Sequence, residues 1–214
     1  GAGLLFVDLG STDETRTFAA RHAPGAHGIW LGAHDRLSDA LSAAAVVSDA
    51  DVLVVVNPAL VPSSPAAITR LLTHLEEHPY AAAVTPALRG HGGGVLKTAH
   101  PRPAGERFSR VDCALGEVIA VRRSDLVQIS ELRRRRTRLL DELELCLALR
   151  RRGREIHYLH CEDWLDAGGA VALRVSGSSE LSHQATRLML RRPGHVLRLS
   201  TQYPAMRGAS HLLG

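Results

Sequence analysis

Five consecutive aliphatic residues, Val52-Leu53-Val54-Val55-Val56, run directly into Asn57-Pro58, and no other stretch restricts the fold as much. The run is too short to span a membrane and too rich in β-branched side chains for a helix, so it predicts a strand covered on both faces. The Asn-Pro pair ends it, and in an open parallel sheet ligands bind at the carboxyl ends of such strands. Asn57, Pro58 and Ala59 therefore occupy the expected place of substrate handling.

Neighbouring segments alternate in type. Leu4–Leu9 is a second apolar run and predicts an interior strand, with Asp8 near its end. Ser11 and Glu14 have capping-box spacing, which starts a helix running to about His22 and closed by Pro24-Gly25. A strand, an acid, a Gly-Ser turn and a helix start form an arrangement that suits an anion, because free helix amides and the helix dipole favour negative charge. Any turn from strand to helix can share these letters. Gly28–Leu31 predicts a short strand and Arg36–Ser48 a helix, with Leu37, Leu41, Ala44 and Ala45 at helical spacing. After the Asn57 loop, Ser63-Ser64-Pro65 starts a helix whose stripe is Ile68, Leu71, Leu72 and Leu75, ended by His78-Pro79. Ala81–Thr85 is the next strand. This alternation of strands and helices predicts a mostly parallel sheet with helices on both faces.

Gly90–Gly105 is glycine-rich and predicts a surface loop; its Gly-His-Gly-Gly-Gly lacks the Lys-Ser of a phosphate loop. Val118–Val121 predicts a strand leading into a helix start at Arg122-Arg123-Ser124, and Leu139–Arg152 a helix closed by Gly153. In that helix Leu140, Leu143 and Leu147 share a face, with acids in the first turns and arginines in the last. Ile156–Leu159 is the last strand expected, Ser179–Arg192 the last helix, and Tyr203–Gly214 a tail. His157, His160 and Cys161 are close in sequence, but strand alternation sends neighbours to opposite faces, so no metal site is expected there.

The 214 residues, 45% of them hydrophobic, suffice for one sizeable core. We expect one domain over residues 1–200, in two halves at about 1–89 and about 106–200, with a tail at 201–214. The net charge of +4 is concentrated in Arg133–Arg136 with Arg138, Arg150–Arg154 and Arg191–Arg192. Such blocks suit anionic lipid or a phosphorylated substrate, and are ordinarily a solvated face. No aromatic platform accompanies them, so nucleic acid is not an expected partner. Cys113, Cys146 and Cys161 are an odd, widely spaced set that fits a reducing compartment. No apolar stretch reaches about 18 residues and no signal peptide is expected. A cytoplasmic location, at the inner membrane face if the arginines meet lipid, follows.

Five segments, in order, resemble the family 2 glycosyltransferases of GT-A fold, particularly the rhamnosyltransferase-like bacterial branch. They are Phe6–Thr15, Asp51–Pro62, Ala66–Pro86, Asp112–Leu126 and Leu140–Gly153. The resemblance implies a Rossmann-like nucleotide-diphospho-sugar transferase whose first strand is absent, because the chain starts at what would be strand two. Two apolar strands would then have unpaired edges unless they pair with each other. It further implies that Asp8 contacts the nucleotide base with Ser11 beside it, and that Asn57 stands near the sugar diphosphate. Ala59 stands where the family has the metal-holding aspartate. Gly116 and Asp112 fall on the acceptor side, and Glu142, preceded by Asp141, takes the place of the catalytic base.

Inverting sugar transfer needs a carboxylate to accept the acceptor's proton and a positive charge for the departing diphosphate. Magnesium or manganese with a nucleotide-diphosphate sugar donor is the implied cofactor set, and a saccharide or lipid-linked acceptor the implied partner. Glu142 and Glu144 also suit a helix start as ordinary first-turn acids. Ala59 and the absent strand keep a second reading open: a catalytically degenerate module that serves as a binding or interaction domain.

Overall fold

The computed structural model describes residues 3–32, 37–90, 105–112, 117–129 and 141–166, with backbone alone at 37, 38 and 141–144. Gly116, Cys113, Arg133–Arg136, Arg138, the helix expected at Ser179–Arg192 and the expected tail lie outside these residues. In chain order the elements are β1 (Leu5–Asp8), α1 (Thr15–His22), β2 (His27–Trp30), α2 (Leu37–Val47), β3 (Val52–Val56), β4 (Leu60–Pro62), α3 (Ala66–Glu77), β5 (Ala81–Arg89), β6 (Phe108–Val111), β7 (Val118–Arg122), α4 (Arg123–Val127), α5 (Asp141–Arg151) and β8 (Glu155–Asp166). The fold is α/β.

Strands β1 and β2 form a parallel two-stranded sheet, and the others a six-stranded sheet in the order β3-β7-β5-β8-β4, with β6 also on β8. This sheet is mixed rather than mostly parallel: β5 and β8 run parallel, whereas β7 is antiparallel to β3 and β5, and β4 and β6 are antiparallel to β8. Each antiparallel pair joins strands far apart along the chain, so strand direction here is set by long-range pairing and not by short hairpin connections. Strands β1 and β3 do not pair with each other, so among the described residues each has one strand neighbour.

The strand buried on both faces is β5, whose residues from Ala81 to Leu88 are all buried, and not β3, whose residues are half-buried or exposed. Small alanines in β5 let helices approach on both sides. On one face α2, α4 and α5 pack through Leu41, Ala45, Leu126, Leu145 and Leu149 against Ala83, Val121 and Ile156. On the other, α3 packs Ala67, Leu71 and Leu75 against Val84, Val118, Ala120 and Trp164. The expected stripe of α3 is therefore rotated: Ile68 is 41% exposed and His74 is inside at 6%. Positions 67, 71, 74 and 75 define one helical face, and histidine is accepted there because it finds ring partners described below.

Arginines fasten helix ends to the sheet. Arg122 donates from Nε to the Ala81 carbonyl (2.9 Å) and from Nη2 to the Leu75 carbonyl in the last turn of α3. Arg123 Nε donates to the Ala45 carbonyl of α2 (2.7 Å). Carbonyls at a helix C-terminus lack intrahelical donors and carry partial negative charge, so a guanidinium satisfies both needs. Helix α5 ends as expected at Gly153, with φ of 74°, where Arg154 N–H donates back to the Leu149 carbonyl (3.2 Å). No helix among the described residues is long and apolar enough to cross a membrane.

Candidate functional site

Asp8 ends β1 and is 3% exposed. Gly10 turns the chain with φ of 84°, a conformation open to glycine, and brings Ser11 back onto the acid. Asp8 Oδ1 accepts from the Ser11 amide (3.0 Å) and from the Ser11 hydroxyl, while Arg16 Nε lies 3.5 Å from Oδ2. The Ser11 hydroxyl above all holds the Asp8 carboxyl below its usual range, against the opposing effect of burial, with further help from the Ser11 amide and Arg16. Asp8 and Ser11 thus meet, but the expected capping box does not form. Helix α1 begins at Thr15, and Asp13 Oδ1 accepts from the Thr15 amide (3.0 Å). Ser11 is already committed to Asp8. Trp30, the register partner of Asp8 on β2, is 42% exposed and carries the Arg16 guanidinium over its ring at 4.8 Å.

The loop after β3 is built around Asn57. Its side-chain oxygen accepts from the Ala59 amide (2.9 Å), and its carbonyl from the Leu60 amide (2.9 Å). Its side-chain nitrogen donates to Glu117 Oε2, and its backbone amide to the Glu117 carbonyl (2.8 Å). Asparagine suits this role because it offers a donor and an acceptor at once. Glu117, which sequence reasoning passed over, is the acid at this loop. Strand β4 then pairs Leu60 with Asp166 on β8, so a carboxylate with 0% exposure sits opposite the loop's end. Only the long-range pairings of β3 with β7 and β4 with β8 bring these two acids here.

Asp112, at the end of β6, forms an ion pair with Arg150 in the last turn of α5. Glu142 lies eight positions earlier on that helix, which at 1.5 Å per residue is about 12 Å along its axis. Asp141 and Glu142 begin α5 as backbone, their side chains lying outside the described residues. Other arginines of the Arg150–Arg154 block are engaged too. Arg152 bonds the Gln128 carbonyl (3.0 Å), and Arg154 bonds Asp125 Oδ2 from Nε (3.1 Å) and Nη2 (2.9 Å). These residues hold α4 and α5 in place.

A second constellation joins α3 to β8. His74 Nε2 lies 2.8 Å from His157 Nδ1, and His78 Nδ1 lies 2.8 Å from the His74 carbonyl oxygen. His157 Nε2 is 2.9 Å from Glu155 Oε2, and Arg110 Nη1 holds Glu155 Oε1 at 3.0 Å. Phe108 stacks on the His157 ring at 4.5 Å between centroids and meets the other two rings edge-on. Burial lowers the pKa of His74 to about 4, with the neighbouring imidazoles His78 and His157 adding to it. Burial also lowers that of His157, while Glu155 acts in the opposite direction. Strand alternation separates His157 from His160 as expected, and His160 Nε2 instead meets Ser109 Oγ at 2.8 Å. Burial and Asp163 push the Cys161 thiol up to about 11, so it stays protonated. The sequence signal for this cluster was His74-x-x-x-His78, a spacing that puts two imidazoles on one helical face.

Comparison with known proteins gives two findings. The model of a family described as "Glycosyl transferase family 2" matches residues 4–154. Among solved structures, the fold is similar to that in "Crystal structure of GalNAc-T7 with UDP, GalNAc and Mn2+", at a TM-score of 0.53 and 11% identity. That alignment covers 77% of this chain and 37% of the other, so the chain spans little more than a third of that protein's length. No curated protein sequence matches significantly.

Proposed function

Since the chain belongs to glycosyl transferase family 2, we propose that it binds a nucleoside diphosphate sugar and passes the sugar to an acceptor hydroxyl by inverting displacement. The observation that carries this reading is the Asn57 loop with Glu117 fastened to it, because it supplies an acid beside the position where Ala59 has none. The solved structure similar in fold is described with UDP and Mn2+, which supports a donor of that chemical class.

The loop alone does not suit a hard divalent cation. It is neutral, and both ends of the Asn57 amide are engaged. Glu117 changes the donor set, since a carboxylate plus phosphate oxygens is a common magnesium or manganese environment. Glu117 would hold such an ion, with Asp166 as the further acid of this region, and the ion would neutralise diphosphate charge. Asp8, kept ionised, accepts hydrogen bonds from the base; Ser11 holds it in place, and Trp30 offers an aromatic face beside it. Glu142, with Asp141 before it, takes the acceptor's proton, and Gly116 and Asp112 border the acceptor, a saccharide or lipid-linked alcohol.

Affiliation with the rhamnosyltransferase-like branch and peripheral contact of the arginine blocks with anionic lipid at the cytoplasmic face belong to the same proposal. The order of the five segments supports the first.

Calorimetry with uridine and thymidine diphosphate sugars, with and without Mn2+, tests the reading. Binding that quenches Trp30 fluorescence, and whose Mn2+ dependence disappears in Glu117→Gln, is expected. The absence of binding at millimolar donor refutes it. Ala59 favours a second reading, a degenerate module that binds without transfer. Metal-dependent donor hydrolysis gained only in Ala59→Asp would select it.

A further inference from the structure

We propose that His74, His78 and His157 form a binding site for a transition-metal ion of the zinc class, which pins the C-terminal end of α3 to β8. The candidate ligand atoms of the three imidazoles lie within 4.8 Å of one another. A tetrahedral ion with bonds of about 2.0–2.1 Å to nitrogen needs ligand atoms about 3.3 Å apart. The observed 2.8 Å between His74 Nε2 and His157 Nδ1 must widen by about half an ångström to meet that spacing. Ligand atoms up to 4.8 Å apart must in turn close by about 1.5 Å to the same spacing.

The hydrogen bonds around His157 and His78 fix these two tautomers in the form a metal requires. Glu155 Oε2 is an acceptor, so His157 Nε2 carries the proton and Nδ1 presents its lone pair. The His74 carbonyl is likewise an acceptor, so His78 Nδ1 carries the proton and Nε2 is left for the ion. Histidine ligands characteristically donate their second ring nitrogen to a carboxylate or a backbone carbonyl in this way. Glu155 is itself held by Arg110 on its other oxygen, so the carboxylate has a fixed orientation. Without an ion, His74 Nε2–H must donate to His157 Nδ1; on loading, His74 changes tautomer, its proton passing to Nδ1, so that the neutral ring presents the Nε2 lone pair.

His74 at 6% and His157 at 1% exposure are buried beneath Phe108, and two buried imidazoles are a costly way to fill space. An ion there converts them into ligands and leaves a fourth position for water or another donor. The imidazole set selects zinc, cobalt, nickel or copper over magnesium, calcium or manganese. This site rests on different residues from the Asn57 loop, so its test is independent of sugar transfer.

The experiment is titration of the chelator-stripped chain with Zn2+, by competition with a chromogenic chelator, and with Co2+, by visible absorption. One ion per chain, a tetrahedral cobalt spectrum and a melting temperature raised by Zn2+ are expected. His78→Ala, at the partly exposed end of α3, should lose the cobalt spectrum and weaken Zn2+ at least 10-fold while keeping its circular dichroism. Glu155→Gln should weaken it by about 10–100-fold, the range for outer partners of a ligating histidine. His160→Ala is the control and should change nothing. Failure of the parent chain to bind, or binding unchanged in both His78→Ala and Glu155→Gln, overturns the proposal.

Discussion

Asn57→Asp isolates the interaction at the centre of the candidate donor loop. The substitution keeps a side-chain oxygen for the Ala59 amide and replaces the nitrogen that donates to Glu117 by a second carboxylate oxygen. A hydrogen bond to a charged group contributes about 1.5–3 kcal/mol. Two carboxylates about 4 Å apart add repulsion of about 1 kcal/mol in water and about 4 kcal/mol at the effective dielectric of a protein surface. Both residues are half-buried, so the lower part of each range applies, and we expect a loss of about 2.5–4 kcal/mol at pH 8. The repulsion is complete where both carboxylates are ionised, so the loss is greatest at pH 8. It shrinks as pH falls, because one proton restores a donor between the two oxygens. Urea unfolding of parent and variant at pH 8, 6.5 and 4.5 measures the difference, and millimolar Mn2+ should recover part of it at pH 8. Equal midpoints at pH 8, or a difference that does not narrow by pH 4.5, refute the assigned bond.

Further outcomes follow from the core, the imidazoles and the proposed base. Leu71, fully buried between α3 and the sheet, should cost about 2–5 kcal/mol when changed to Ala, read from the urea midpoint. His74 and His157 have folded pKa values below the unfolded 6.5, so the unfolded chain binds more protons in this range. Stability of the metal-free chain should therefore fall as pH drops from 6.5 towards 4, less so in His74→Gln; a flat melting temperature across that window contradicts it. Glu142→Gln should abolish sugar transfer and leave donor affinity unchanged by calorimetry, whereas retained turnover removes Glu142 from the role of base.

Local periodicity settled much of the fold in advance. Helices α2, α3 and α5 and strands β1, β2, β3, β5 and β7 begin and end within a few residues of where apolar spacing, Pro65 and Gly153 put them, because those signals act over one or two turns of chain. The spacing of Ser11 and Glu14 suggested a capping box, and only the folded turn at Gly10 directs Ser11 onto Asp8 instead. What sequence could not fix depends on partners far along the chain. The rotation of α3 that buries His74 needs Phe108 and His157, which lie at distant positions and arrive on β6 and β8. Glu117 becomes the acid of the Asn57 loop only because β7 pairs antiparallel with β3, and Asp166 joins that region only through β4. Strand direction, the division into two sheets and the company each acid and imidazole keeps are properties of long-range pairing. The run Val52–Val56 determined that a strand would lead into the loop at Asn57, and the tertiary structure decided which charges would meet it there.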